Sequence, residues 1–176
     1  VTLGIEARAK EMTAGGKKVY SFAAGEPDFD TPAHIKDGAS KALQAGQTKY
    51  CPVAGVLALR TAIVEKLKKD NGLSYDPNQI VLSNGAKHSL FNIFMAICRT
   101  GDEVILPAPY WLSYPEMVRI AGGIPVFVPC REENDFKMTP AEFEKAITAR
   151  TKALVINSSD DTGRRAAAAF AQRFAQ

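Results

Sequence analysis

The chain has 176 residues, of which 46% are hydrophobic and 23% charged, enough to close the core of one ordinary domain. Its 22 basic and 19 acidic side chains leave a net charge of only +3, without the basic stripe that nucleic-acid binding requires. No apolar run reaches membrane-spanning length, no signal peptide is visible, and three cysteines without metal-ligand spacing (Cys51, Cys98, Cys130) suit a reducing cytoplasm better than a disulfide scaffold.

In chain order, "IEARAKEM" reads as a helix to Met12 with Gly15-Gly16 as its stop. "VYSFAAG" reads as extended and "EPDFD" as a loop. Thr31-Pro32 then opens a helix, with Thr31 as N-cap and Pro32 in the first position, running to about Ala45 before Gly46. "TKYCPVAG" is irregular. After Gly55 comes a long helix with Leu59, Ile63 and Leu67 on one stripe, closed by Lys66, Lys68, Lys69 and Asn71-Gly72.

From Gln79 onward the pattern alternates. "QIVLS" reads as a strand, "LFNIFMAICR" as a helix, "EVILP" as a strand after the Gly101-Asp102 turn. A helix follows "APYWLSYPE" to about Ala121, with Gly122-Gly123 as stop and "IPVFVP" as the next strand. Thr139-Pro140-Ala141-Glu142 is a capping box opening a helix to about Thr148, and "KALVIN" is the last strand. This β-α-β-α-β-α-β order of apolar strands predicts an α/β fold: a mainly parallel sheet with helices on both faces.

In such sheets ligands bind beyond the carboxyl ends of the strands, which selects three loops. In "LSNGAKHSL" a glycine precedes a helix whose free N–H groups suit phosphate; the competing reading is a tight turn capped by Asn or Ser, with Lys87 and His88 on the surface. "LPAPYWLSYP" carries Tyr110, Trp111 and Tyr114, rings that either stack on a planar cofactor or pack beneath the loop. "AAGEPDFDTP" holds Gly25, where a substrate carboxylate can approach the backbone, and Glu26 and Asp28, an acid/base pair or a solvated turn. The two histidines, His34 and His88, support no hydrolytic triad, and no metal site is expected; His34 reads as a helix-surface residue.

Taken together, "AGEPDFDTP", "TKYCPVAGVLALR", "SNGAKHSLFN", "GDEVILPAPYWLSYPEM" and "ARTKALVINS" resemble, in order and spacing, the class I pyridoxal-phosphate aminotransferases, most closely their bacterial aspartate subgroup. The likeness runs from about Val1 to Ser158. It implies a partial large domain of that fold over residues 31–158, an N-terminal arm and hinge segment over 1–30, and an atypical tail over 159–176. It implies pyridoxal 5′-phosphate (PLP) as cofactor and amino-group transfer between an amino acid, aspartate first, and a 2-oxo acid. Gly85, Ala86 and Lys87 match the phosphate-cradling turn, Trp111 the ring-stacking aromatic that also meets substrate, and Gly25 the glycine at the substrate carboxylate. Tyr50 matches the tyrosine that reaches a partner's phosphate, which implies a homodimer with shared sites, in the cytoplasm.

The chain departs from the pattern after "VIN". Ser159-Asp160-Asp161-Thr162-Gly163 stands where the family has Asn-Pro-Thr-Gly, and the Schiff-base lysine, the pyridine-nitrogen Asp and the carboxylate-clamping Arg lie further on in the family. The expectation is a truncated, inactive N-terminal part, with Phe170 and Phe174 as the apolar face of a short tail helix. A lyase of the same fold and a non-catalytic PLP-binding or interaction fragment are the alternatives.

Overall fold

The computed structural model describes residues 2–21 and 29–157. Gly25, Glu26, Asp28 and the segment from Ser158 through Phe174 lie outside the described residues. The chain groups into two compact units, Val1–Pro52 and Val53–Gln176.

The first unit holds helices α1 (Thr2–Ala14) and α2 (Ala33–Gln44). Helix α1 runs two residues past the expected stop at Met12, and its last turn closes through Gly15 and Gly16. The expectation that Thr31 caps α2 is corrected. Pro32 occupies the cap position and makes no side-chain bond there. Asp30 organises the entry instead, accepting from the Thr31 N–H at 2.9 Å and from Lys36. Chiefly the Lys36 bond, then the Thr31 bond, holds the Asp30 carboxyl below its ordinary range. A proline cannot cap through its side chain, so the cap goes unfilled, and the carboxylate two residues before it ties the entering chain to the Lys36 side chain of the first turn instead. His34 is exposed on α2, as its position on the helix surface predicts.

The second unit opens with α3 (Leu57–Asn71), which ends at Gly72 in the left-handed conformation with Lys68 and Lys69 in its last turn. The expected apolar stripe is only partly covered: Ile63 and Leu67 are half-buried, while Leu59 stays half-exposed. This helix packs on the 3₁₀ turn Pro77–Gln79 rather than on the sheet. Arg60 ties the two together, donating to the Gly55 carbonyl at 3.2 Å and the Pro77 carbonyl at 2.9 Å.

Helix α4 (Ala86–Ile97), strand β1 (Glu103–Ala108), helix α5 (Ser113–Ile120), strand β2 (Ile124–Pro129), helix α6 (Pro140–Ala146) and strand β3 (Thr151–Leu154) follow. The strands form a parallel sheet in the order β2-β1-β3. The segment "QIVLS" is not a strand. Ile80 has extended dihedrals, yet among the described residues the segment joins no ladder; its Leu82 N–H donates to the Ala54 carbonyl at 3.0 Å. A strand needs a neighbour as well as an apolar run, and the neighbour here is a loop.

The central strand explains why helices cover both faces. Val104, Ile105 and Leu106 are completely buried, and successive side chains point to opposite sides. Val104 and Leu106 pack with Phe94 and Cys98 at the end of α4 and with Met117 and Val118 of α5. Ile105 packs on the other face with Val128, Cys130, Met138 and Phe143 of α6. The connection β1-α5-β2 moves one way along the sheet and β2-α6-β3 moves back past β1. Right-handed crossovers in opposite directions place their helices on opposite faces, as the two cores require. Helix α6 begins with the expected capping box: the Glu142 N–H donates to Thr139 Oγ1 at 3.3 Å and the Thr139 N–H donates to Glu142 Oε2 at 2.8 Å. Among the described residues no helix is long and apolar enough to cross a membrane.

At the amino end of the sheet, Glu103 is buried and accepts from Thr148 Oγ1 at 2.6 Å and Arg150 Nε at 2.9 Å. The Thr148 hydroxyl first, then the Arg150 guanidinium, holds its carboxyl below the usual carboxylate range, against the opposing pull of burial. A depressed folded pKa gives stability that is present above the unfolded value and lost as pH falls through the folded one. Acidification below about pH 4 is therefore expected to lower the urea midpoint more steeply in the parent than in Glu103→Gln, which starts less stable at neutral pH. Identical acid limbs in the two proteins would show that this link between β1 and β3 contributes nothing.

Candidate functional site

The change of direction in the sheet falls between β1 and β3. At such a switch point the loops leaving the two carboxyl ends part and open a crevice. Leu106, Pro107, Val155 and Asn157 line that crevice here, with Tyr110, Tyr114 and Phe136 closing it into a cavity of about 110 Å³. Its walls come from β1, from the loop after it, and from the end of β3. Val155 extends the β3 pairing by donating to the Ile105 carbonyl at 3.0 Å, which carries Ile156 and Asn157 to the cavity rim.

The loop after β1 leaves through a cis Ala108–Pro109 bond and enters α5 at Ser113. Its three aromatic residues do different things. Tyr114 packs half-buried against the core of Phe94, Leu106 and Met117. Tyr110 stacks on Phe127 of β2, with ring centres 5.1 Å apart and planes inclined by 21°. Trp111 keeps 46% of its surface exposed. Of the two readings for this loop, core packing describes Tyr114 and pairing on the sheet describes Tyr110, leaving Trp111 as the most exposed of the three rings.

Trp111 stands beside the start of α4. The Lys87 ammonium lies 5.8 Å from its ring centre, within the range of a cation–π contact. The turn before α4 is corrected from the capped form expected of its Asn and Ser residues. The cap position belongs to Gly85, and no side chain caps the helix. Among the described residues no backbone carbonyl accepts from the N–H groups of Ala86, Lys87 or His88; the first such bond runs from Ser89 to the Gly85 carbonyl at 3.4 Å. The four leading N–H groups of a helix lack partners by geometry, and the positive end of the helix dipole reinforces them. The turn itself is held from behind. Gly85 N–H donates to the Ser83 carbonyl at 2.9 Å, and Asn84 N–H donates to His88 Nδ1 at 3.1 Å. The sequence reading placed His88 on the surface, where it is, but missed that bond. A histidine three residues past a glycine cap is the signal.

The structure thus brings Gly85, Ala86, Lys87 and Trp111 together. Tyr50 lies in the first unit with its side chain fully exposed. Burial pushes the Cys98 and Cys130 thiols up, which disfavours their nucleophilic thiolate forms. The donor set at α4 fits a group that joins a phosphate to a flat aromatic ring. Open backbone donors suit the anion, and the neighbouring indole suits the ring.

Known proteins resemble this chain in sequence and in fold. The chain is 51% identical over 163 residues to an aspartate aminotransferase of Geobacillus stearothermophilus, covering 92% of this chain and 42% of that protein. It is 53% identical to a probable aspartate/prephenate aminotransferase of Aquifex aeolicus, covering 91% and 41%. The solved structure of a Thermus thermophilus aspartate aminotransferase with maleate superposes with a TM-score of 0.88 at 45% identity, over 98% of this chain and 47% of that one. An aspartate aminotransferase structure from Thermotoga maritima gives 0.87 at 33% identity. The chain therefore spans about two fifths of the curated relatives it matches. The profile of the aminotransferase class I and II family matches residues 17–162, most of the chain and all of the sheet, and the chain belongs to that family.

Proposed function

We propose that this chain carries the cofactor-binding part of a PLP-dependent aminotransferase that moves an amino group between an L-amino acid, aspartate first, and a 2-oxo acid. The observation that carries the reading is the exposed Trp111 beside the uncapped start of α4, in a chain of this family. The relatives' names support the aspartate preference.

In this reading Gly85 lets the backbone approach the phosphate, and the Ala86 and Lys87 N–H groups donate to it. Trp111 covers one face of the pyridine ring and borders the substrate. Gly25 receives the substrate carboxylate. Tyr50 reaches the phosphate of a second copy, so the working unit is a homodimer with shared sites. Residues 31–158 belong to the large domain and 1–30 to the arm and hinge. The reaction takes place in the cytoplasm, on small-molecule partners. When bound, PLP supplies the electron sink that lets an amino group leave one carbon skeleton and join another. The protein's own contribution at this end of the site is orientation: the open N–H groups at the start of α4 would hold the phosphate, and Trp111 would offer the pyridine ring an aromatic surface.

Trp111 is the only tryptophan, so its fluorescence reports on this spot alone. Titration with PLP is expected to quench it saturably, and pyridoxal, which lacks the phosphate, is expected to bind more weakly. Trp111→Ala is expected to weaken PLP binding about tenfold when followed by absorbance. Absence of saturable quenching, or equal affinity for PLP and pyridoxal, would reject the assignment.

A further inference from the structure

We infer that His88 is a positioning residue for the anion-binding turn, holding its backbone in place without using the donors that the anion needs. The inference rests on the PLP reading above and deepens it.

A helix start is normally fixed by a Ser, Thr, Asp or Asn at the cap, whose oxygen accepts from the N–H two or three residues on. That device consumes the very donors an anion requires. In the capping box a second bond runs the other way, from an N–H near the cap to the side chain three residues into the helix. Among the described residues of the second unit, Asp76 with Gln79 and Thr139 with Glu142 form capping boxes of this two-way kind. The start of α4 has a backward bond alone, shifted by one residue: its donor is the Asn84 N–H, just before the cap, and not that of the cap residue. Gly85 has no side chain to offer, and His88, three residues on, accepts from Asn84 N–H through Nδ1 at 3.1 Å. The turn is therefore tied down from its rear, while the N–H groups of Ala86 and Lys87 stay open in front. The Lys87 ammonium is engaged with Trp111 and does not compete for this bond.

The accepting atom sets which substitution preserves the arrangement. Asparagine places Oδ1 the same number of bonds from the backbone as histidine places Nδ1. Alanine places nothing there, although it is the better helix former. A purely structural role at this exposed helical position predicts that alanine is the better replacement. A positioning role predicts the reverse for affinity.

The test measures PLP and pyridoxal affinities by absorbance titration of the parent, His88→Ala and His88→Asn, with thermal melting as a check on folding. His88→Ala is expected to lose about fivefold in PLP affinity and nothing in pyridoxal affinity. His88→Asn is expected to retain the parent's preference for PLP. Hydrogen exchange of the Asn84 amide is expected to be slow in the parent and in His88→Asn and fast in His88→Ala. If the parent prefers PLP to pyridoxal and His88→Ala keeps that preference, or if His88→Asn loses as much as His88→Ala, the role of His88 is overturned and the PLP reading stands. If the parent itself does not prefer PLP, both fall together.

Discussion

Gly55→Ala is expected to destabilise the second unit by about 3 kcal/mol, from two separable causes. Gly55 is buried with φ at 94°, where a side chain is disfavoured. A Cβ placed there would also lie 2.2 Å from Cδ1 and 2.5 Å from Cγ of Leu82, so the leucine must move. Left-handed strain alone costs about 1–2 kcal/mol, and overpacking against a close neighbour adds about 1–3 kcal/mol. The double variant Gly55→Ala/Leu82→Gly removes the clash, whose closest atoms are Cδ1, Cγ and Cβ of Leu82, and leaves the strain. Its urea midpoint is expected to lie above that implied by adding the two single losses, because residues in contact are not additive. Additivity would mean that the glycine is required for its backbone alone, and an unchanged midpoint in Gly55→Ala would discard both causes.

This contact reaches the site through the chain. Leu82 is both the side chain packed on Gly55 and the residue whose N–H meets the Ala54 carbonyl. It lies next to Ser83, whose carbonyl begins the turn before α4. Displacing Leu82 displaces the rear support of that turn. Gly55→Ala is accordingly expected to weaken PLP binding even below the temperature at which the unit melts.

Which features were legible in the sequence follows from how local their causes are. Thr139 and Glu142 specify their capping box within four residues, and the structure has it. The runs Glu103–Ala108 and Ile124–Pro129 are apolar and pair with each other as strands, the first covered on both sides and the second a largely half-exposed edge. The run "QIVLS" is equally apolar, but strand pairing depends on what lies alongside, and a sequence pattern does not say. The start of α2 failed for a narrower reason: Thr31-Pro32 satisfies a local rule, but the helix begins one residue later, with Pro32 at the cap and Asp30 bracing the entry through Thr31 N–H and Lys36.

The site shows the same division. The anion-binding character of "SNGAKHS" was readable, since a glycine before a helix start is a local feature. The roles of Tyr110, Trp111 and Tyr114 were not separable, because three neighbouring rings on one loop differ only in what each meets: Phe127, Lys87 and the core. The family resemblance pointed to Trp111. The structure supplies a physical reason for choosing it: it is the most exposed of the three rings and stands beside the start of α4.

Gly85→Ala is expected to reduce PLP affinity about thirtyfold while shifting the melting temperature little. Gly85 sits at φ 81° and ψ 168°, a region essentially closed to any residue with a Cβ. Unlike Gly55, it has open space where a Cβ would go, with nothing within 4 Å. The cost is therefore backbone strain, about 1–3 kcal/mol, and the turn can escape it by rotating on an exposed surface. Rotation saves the fold but turns the Ala86 and Lys87 N–H groups away from a common anion position. Binding should suffer where stability does not, the opposite weighting to Gly55→Ala. The measurement pairs a PLP titration with a thermal melt on the same preparation. Unchanged affinity would mean that the anion does not sit at this turn. A large drop in melting temperature with unchanged pyridoxal-to-PLP preference would mean that Gly85 serves the fold rather than the ligand.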